Sequence, residues 1–204
     1  MNRESIKLIV ATNNQGKIRE LALLLADVPV TLKTLGNFSD IVEVEETGST
    51  FTENAILKAR GYALQTGQMA LADDSGLEVN ALNGAPGVFS ARYGGEHIGF
   101  DKKMLRILSE MADLPGQDRS AQFVCVMAIA DAAGEILCTA EGSCKGKIAF
   151  KPRGLGGFGY DPIFEPEGHE MTFGELPDLI KQEISHRARA SAIINRFLRD
   201  FIAV

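Results

Sequence analysis

Cysteine is scarce in this 204-residue chain: there are only three, Cys125, Cys138 and Cys144, and no two form a C-x-x-C pair. An odd, widely spaced set indicates neither a zinc knuckle nor a disulfide framework, so free thiols, buried or partly buried, are expected. Long hydrophobic runs are lacking as well. No apolar stretch approaches the length needed to span a bilayer, and the opening MNRESIKLIVAT has too short an apolar run for the core of a secretory signal. No membrane partner and a cytoplasmic location are therefore expected. Excess positive charge is missing too, since the formal net charge is -6. That balance argues against binding to nucleic acid through its phosphates, which needs a basic surface, but a local group of Lys and Arg or a divalent cation could still hold a small phosphorylated ligand.

Repeats, low-complexity tracts and linkers are also absent. With 45% hydrophobic and 24% charged residues, the composition is that of an ordinary globular chain. One continuous α/β domain over 1–204, with room for two lobes, is the expectation. The run Ile6 to Ala11 reads as a buried strand, followed by a polar turn and by Ile18, Leu21, Ala22, Leu24 and Leu25 at helical spacing. Val30 to Leu35 reads as a second strand. An acidic stretch, Glu43-Val44-Glu45-Glu46, then leads into a helix from Thr50 to about Gln65, with Thr50 and Glu53 at capping-box spacing and Gly67 placed to stop it. Met69 to Ala72 reads as a short apolar strand, which would put Asp73-Asp74-Ser75-Gly76 at a strand end. Asp101 to Met111 has a helical pattern, and Gln122–Ala130 with Glu135–Cys144 reads as a hairpin. A long glycine-rich loop precedes a final helix from about His186 to Ile202.

Four clusters carry chemistry. Thr12-Asn13-Asn14-Gln15-Gly16-Lys17 lies between the first strand and first helix, where free amide donors and the helix dipole suit a phosphate. An N-cap turn with a solvated lysine fits this segment equally well. It is not a P-loop, because Ile18 follows the lysine and the first glycine of G-x-x-x-x-G-K-[ST] is missing. The second cluster sets Glu45-Glu46 against Asp73-Asp74. Mg2+ needs only one or two carboxylates besides water and phosphate oxygens, although a charge run such as Glu45-Glu46 reads first as a solvated acidic loop. The third, Lys151 to Pro162, contains four glycines that let backbone approach a ligand, and Phe158 and Tyr160 offer faces for a base. A flexible hairpin loop is its plainer reading. The fourth, Lys181 to Arg189, is rich in donors, with Ser185 a natural N-cap; for His186 alone a capping or surface role is the simpler reading. His97 and His169 have no partner at metal-ligand spacing.

In order and spacing, ATNNQGKIREL, EETGSTFTENAILKAR, ADDSGLEVNALNGAPGVFSARY, GGFGYDPIF and ISHRARA resemble the inosine triphosphate pyrophosphatase family, over nearly the whole chain. Asn13-Asn14-Gln15 departs from the smaller residues of many relatives but leaves Thr12, Asn14 and Lys17 in place. The resemblance implies an elongated mixed β-sheet flanked by helices in two lobes, an active site in the cleft between the lobes, a homodimer, and hydrolysis of deaminated purine triphosphates to monophosphate and pyrophosphate. It implies that Thr12, Asn13, Asn14, Gln15, Gly16 and Lys17 bind the triphosphate, with Lys58 a further phosphate-side residue. Glu46 and Asp74 would hold Mg2+, with Glu45 an alternative to Glu46, and Asp74 would accept the proton. Ser75 would contact substrate, Phe158, Gly159, Tyr160 and Asp161 would line the nucleoside site, and Lys181, His186 and Arg187 would read the base. A nucleotide-binding sensor without turnover and a phosphatase of small metabolites are the rival functions.

Overall fold

The computed structural model describes residues 6–95, 97–112 and 118–203; the opening five residues, read above for a leader, lie outside that range. Eleven regular elements are described: β1 (Ile6–Val10), α1 (Gln15–Leu24), β2 (Val30–Thr34), α2 (Phe51–Thr66), β3 (Met69–Val79), α3 (Phe100–Ala112), β4 (Ser120–Ala130), β5 (Ile136–Ile148), β6 (Phe164–Pro166), α4 (Asp178–Ile184) and α5 (His186–Ala203). The strands form one mixed sheet in the order β2-β1-β3-β4-β5-β6. β1 runs parallel to β2, with Leu8 opposite Leu32, and parallel to the start of β3, with Val10 opposite Leu71. At the other edge β5 and β6 are antiparallel, with Ile148 opposite Phe164.

Local chemistry fixes several boundaries. In α2 the Thr50 side chain accepts from the Glu53 amide while the Glu53 carboxylate accepts from the Thr50 amide, satisfying two of the donors that a helix start leaves over. At its far end Gly67 adopts the left-handed conformation and its amide reaches the Ala63 carbonyl. Between β4 and β5 the Asp131 carboxylate accepts from the amides of Ala133 and Glu135, and so short a connection makes the two strands a hairpin.

The apolar strand starting at Met69 does not stop before Asp73 but continues to Val79, so Asp73 and Asp74 lie inside β3. Adjacent acids inside a strand read as a terminus because a buried carboxylate is costly unless a cation pairs with it. In this protein such cations are supplied, as described below. It is β1 that ends: Val10 pairs with Leu71, so the two carboxylates follow just beyond the last β1–β3 pairing.

The chain divides into two compact units, each assembled from separated segments. The first comprises 1–74, 125–142 and 187–204, and the second 75–124 and 143–186. The core of the first is built from Leu8, Val10, Leu21, Leu71, Met127 and Ile129, against which α5 lays Ala190, Ile194 and Leu198 at four-residue spacing. The second packs Met104, Ile107 and Met111 of α3 with Phe123, Phe164 and Phe173. β3, β4 and β5 each contribute residues to both units.

Candidate active site

In the first unit, the turn after β1 is shaped by its own side chains. Asn14 is the N-cap of α1, its carboxamide oxygen accepting from the amides of Gly16 at 2.9 Å and Lys17 at 3.2 Å. Thr12 Oγ1 accepts from the Asn14 amide at 3.1 Å. The N-cap turn is present at Asn14, but its lysine is not solvated: Lys17, one turn in, reaches back to β3. There Lys17 Nζ meets Asp73 Oδ1 at 2.5 Å and the Asp73 carbonyl at 3.2 Å. Asn13 and Gln15 are exposed.

Asp73 is the centre of a buried network whose members lie far apart in sequence. Its Oδ2 accepts from Arg187 Nε at 2.7 Å and from the Cys125 thiol at 3.1 Å, and Arg187 Nη1 reaches Glu20 at 2.6 Å. Burial alone would raise the Asp73 carboxyl, but Arg187 and Lys17 outweigh it and hold the group well below the usual carboxylate range. The same burial, with the charge of Asp73 beside it, pushes the Cys125 thiol well up and leaves it protonated.

Asp74 has the opposite fate. Burial raises its carboxyl, and the opposing pull of Lys58 and Lys17 does not cancel that rise. Lys58, from α2, places Nζ 2.9 Å from Asp74 Oδ1, 2.6 Å from Glu46 Oε1 and 2.9 Å from the Asp73 carbonyl. Burial would lower the Lys58 ammonium, but Asp74 and Glu46 outweigh it and the net shift is upward.

The acidic segment is docked along α2 rather than merely solvated. Gln65 exchanges two hydrogen bonds with the Val42 backbone, the Val44 amide donates to the Tyr62 hydroxyl, and the Gly48 amide donates to Asn54. Gly61 makes the approach possible: a Cβ there would fall 2.6 Å from Val44. This docking turns Glu46 toward Lys58 and leaves Glu45 exposed. Asn54, not singled out by motif, is fully buried and directs its amide toward Asp74 Oδ2 at 3.4 Å. Its position four residues before Lys58, on one helical face, was the available signal. Ser75 follows in β3, half-buried.

In the second unit Lys181, from α4, forms a buried ion pair with Asp161 and lies 4.7 Å from the centroid of the Phe158 ring. Asp161 also accepts from the Phe158 amide at 2.7 Å. Gly157, at φ 69°, is required here because a Cβ would fall 2.0 Å from the Asp161 carboxylate. Gly159 is half-buried in the same turn. Tyr160 requires correction as a stacking platform. Its ring is buried in the core, its hydroxyl donates to the Ser90 carbonyl at 2.8 Å, and it meets Phe100 edge-on at 5.2 Å. The side chain that looked like a ligand surface is a core aromatic with its hydroxyl satisfied. Buried His186 stacks on Phe123 at 4.7 Å, whereas the next residue, Arg187, belongs to the Asp73 network.

A divalent cation would find two converging carboxylates, Glu46 and Asp74, already gathered around an ammonium. Among the described residues no group of three His, Cys, Asp or Glu side chains could hold a metal by themselves. Mg2+ keeps much of its shell for water and phosphate oxygens, so two carboxylates suit it.

Fold and site together define a mixed α/β protein with alternating lysines and carboxylates where a parallel strand ends, a placement suited to phosphorylated ligands. The chain belongs to the Ham1 family, whose profile matches residues 8–197. It is 50% identical over 185 residues to the dITP/XTP pyrophosphatase of Desulforamulus reducens, covering 91% of this chain and 92% of that one. It is 47% identical to the dITP/XTP pyrophosphatase of Geobacter sulfurreducens, covering 94% and 96% respectively. Among solved structures, a HAM1 protein from Coxiella burnetii superposes with a TM-score of 0.87 at 42% identity, over 96% of this chain and 99% of that one.

Proposed function

We propose that the protein hydrolyses deaminated purine nucleoside triphosphates, ITP, dITP and XTP, to the monophosphate and pyrophosphate, and so cleanses the nucleotide pool. The dITP/XTP pyrophosphatase activity for which its relatives are named supports the reaction class. The observation that carries the reading within this chain is the split between two adjacent carboxylates. Asp73 is engaged by Arg187 and Lys17, while Asp74 shares the Lys58 ammonium with Glu46 and, before any metal binds, burial raises its carboxyl above the usual value.

In this reading Asp74 takes a proton from the attacking water as its oxygen adds to the α-phosphorus. The bond from that phosphorus to the bridging oxygen breaks, and pyrophosphate leaves with its charge countered by Lys17 and Lys58. Thr12 to Lys17 receive the phosphate chain and Ser75 contacts substrate. Such chemistry asks for positioning and electrostatics rather than a protein nucleophile. Mg2+, held by Glu46 and Asp74, would supply Lewis-acid stabilisation of charge on the phosphate oxygens. Phe158, Gly159, Asp161, Lys181 and His186 serve the nucleoside end. Cytoplasmic action as a homodimer completes the proposal; no helix among the described residues is long and apolar enough to cross a membrane.

The test is a panel of inosine, xanthosine, deoxyinosine, guanosine and adenosine triphosphates at one Mg2+ concentration, with product identification. Monophosphate and pyrophosphate from the deaminated purines are expected. Release of orthophosphate would assign the phosphatase reading instead, and binding without turnover the sensor reading.

A further inference from the structure

We propose that Arg187 is a positioning residue for the phosphate end of the substrate, acting through Asp73 on Lys17. The proposal rests on the reading above that Lys17 meets the phosphate chain. Arg187 enters from the first turn of α5, and its side chain is 1% exposed. Its guanidinium divides between two elements, with Nε on Asp73 of β3 and Nη1 on Glu20 of α1. Glu20 lies three residues after Lys17 on the same helix, so both occupy one face. Arg187 therefore fixes α1 through Glu20 and, separately, fixes the carboxylate that Lys17 grips. With Arg187 and Cys125 on Asp73 Oδ2, Oδ1 is turned to Lys17. Lys17 commits two of its three N–H donors to Asp73, through Oδ1 and the carbonyl, and keeps a third for a phosphate oxygen. A planar fork bridging two carboxylates is a geometry that a lysine point charge cannot reproduce in full.

Inorganic tripolyphosphate, which has neither base nor ribose, separates this role from base reading. Its affinity is measured by calorimetric titration and by competition against inosine triphosphate, in the wild type and in Arg187→Gln. The expected result is a loss of roughly ten- to a hundredfold in tripolyphosphate affinity, the scale of a charged hydrogen bond. KM for inosine triphosphate rises more than kcat falls. Arg187→Lys recovers part of the affinity. Unchanged tripolyphosphate affinity with a collapsed base preference overturns the proposal and returns Arg187 to the base. If Arg187→Gln does not fold, the charge-balanced pair Asp73→Asn with Arg187→Gln takes its place. That pair should also bind tripolyphosphate weakly, and wild-type affinity in it would overturn the proposal. A wild-type protein that binds tripolyphosphate but turns over no nucleotide refutes the proposed function and leaves the Arg187 result standing. A wild-type protein that does not bind it overturns the phosphate role of Lys17 and this proposal together.

Discussion

Replacing Lys58 with Met keeps the length of the side chain and removes the ammonium from between Glu46 and Asp74. The side chain of Lys58 is 10% exposed, that of Asp74 8% and that of Glu46 27%. Removing one partner of a buried pair costs about 3–5 kcal/mol, because it leaves an uncompensated charge. The greater exposure of Glu46 lets water relieve part of that, so about 3 kcal/mol is the better figure. For a chain of this size the melting temperature should fall by roughly 6–12 °C in metal-free buffer. Two carboxylates that have lost their shared cation then form a site for a divalent one. Mg2+ at a hundred times its dissociation constant would return about 2.7 kcal/mol. The assay is thermal unfolding of both proteins with and without Mg2+, and the variant should gain more from the metal than the wild type does. A variant that melts within about 2 °C of wild type without metal would show that the triad contributes little stability. One that is destabilised yet unresponsive to Mg2+ would remove Glu46 and Asp74 as the cation site.

Four further outcomes are expected. Asp74→Asn should fold normally yet lose about 10²–10⁴-fold in turnover, and more than a tenth of wild-type activity would remove Asp74 as the base. Because burial raises the carboxyl of Asp74 in the folded, metal-free protein, its titration in metal-free buffer should lie above the ordinary aspartate value of about 3.9, and a titration at or below it would contradict this. Asp73, held low, should contribute stability that is complete above its unfolded value of about 3.9 and is lost as pH falls through the lower folded value; denaturant titrations of wild type and Asp73→Asn between neutral and acid pH should converge, and parallel curves would refute this. Lys181→Met removes the cation shared by Asp161 and Phe158 and should erode an expected preference of roughly 10²-fold for inosine over adenosine triphosphate, whereas an intact preference would relieve Lys181 of base reading.

What the sequence revealed and what it hid follow from the range of the interactions. The capping box at Thr50 and the stop at Gly67 are local bargains among neighbours, and the structure places both as read. The loop from Thr12 to Lys17 was legible for the same reason, since Asn14 caps the helix three residues ahead of Lys17. The extent of β3 was not legible, because the cations that let Asp73 stay inside a strand come from α1 and α5. Tyr160 misled because an aromatic among glycines has the same local pattern whether its ring faces a ligand or the core. The docking of Glu46 was hidden in Gly61 and Gln65, residues that look ordinary within an amphipathic helix. A further distinction, between Glu45 and Glu46, needed the structure: only Glu46 reaches the Lys58 ammonium.

Arg187 meets Asp73 across 114 positions of sequence and Glu20 across 167. During synthesis, Lys17, Lys58 and both aspartates leave the ribosome long before that guanidinium exists, and contacts so distant in sequence form late. A nascent chain that stops before residue 187 holds Lys17, Lys58, Asp73 and Asp74, but not the side chain that partners Asp73 from α5. Translation that stops short of residue 187 should therefore yield an incomplete first unit rather than a weakened enzyme. The helix that opens at His186 acts in this sense as a late keystone of the first unit, ordering Asp73 only once residue 187 has been made.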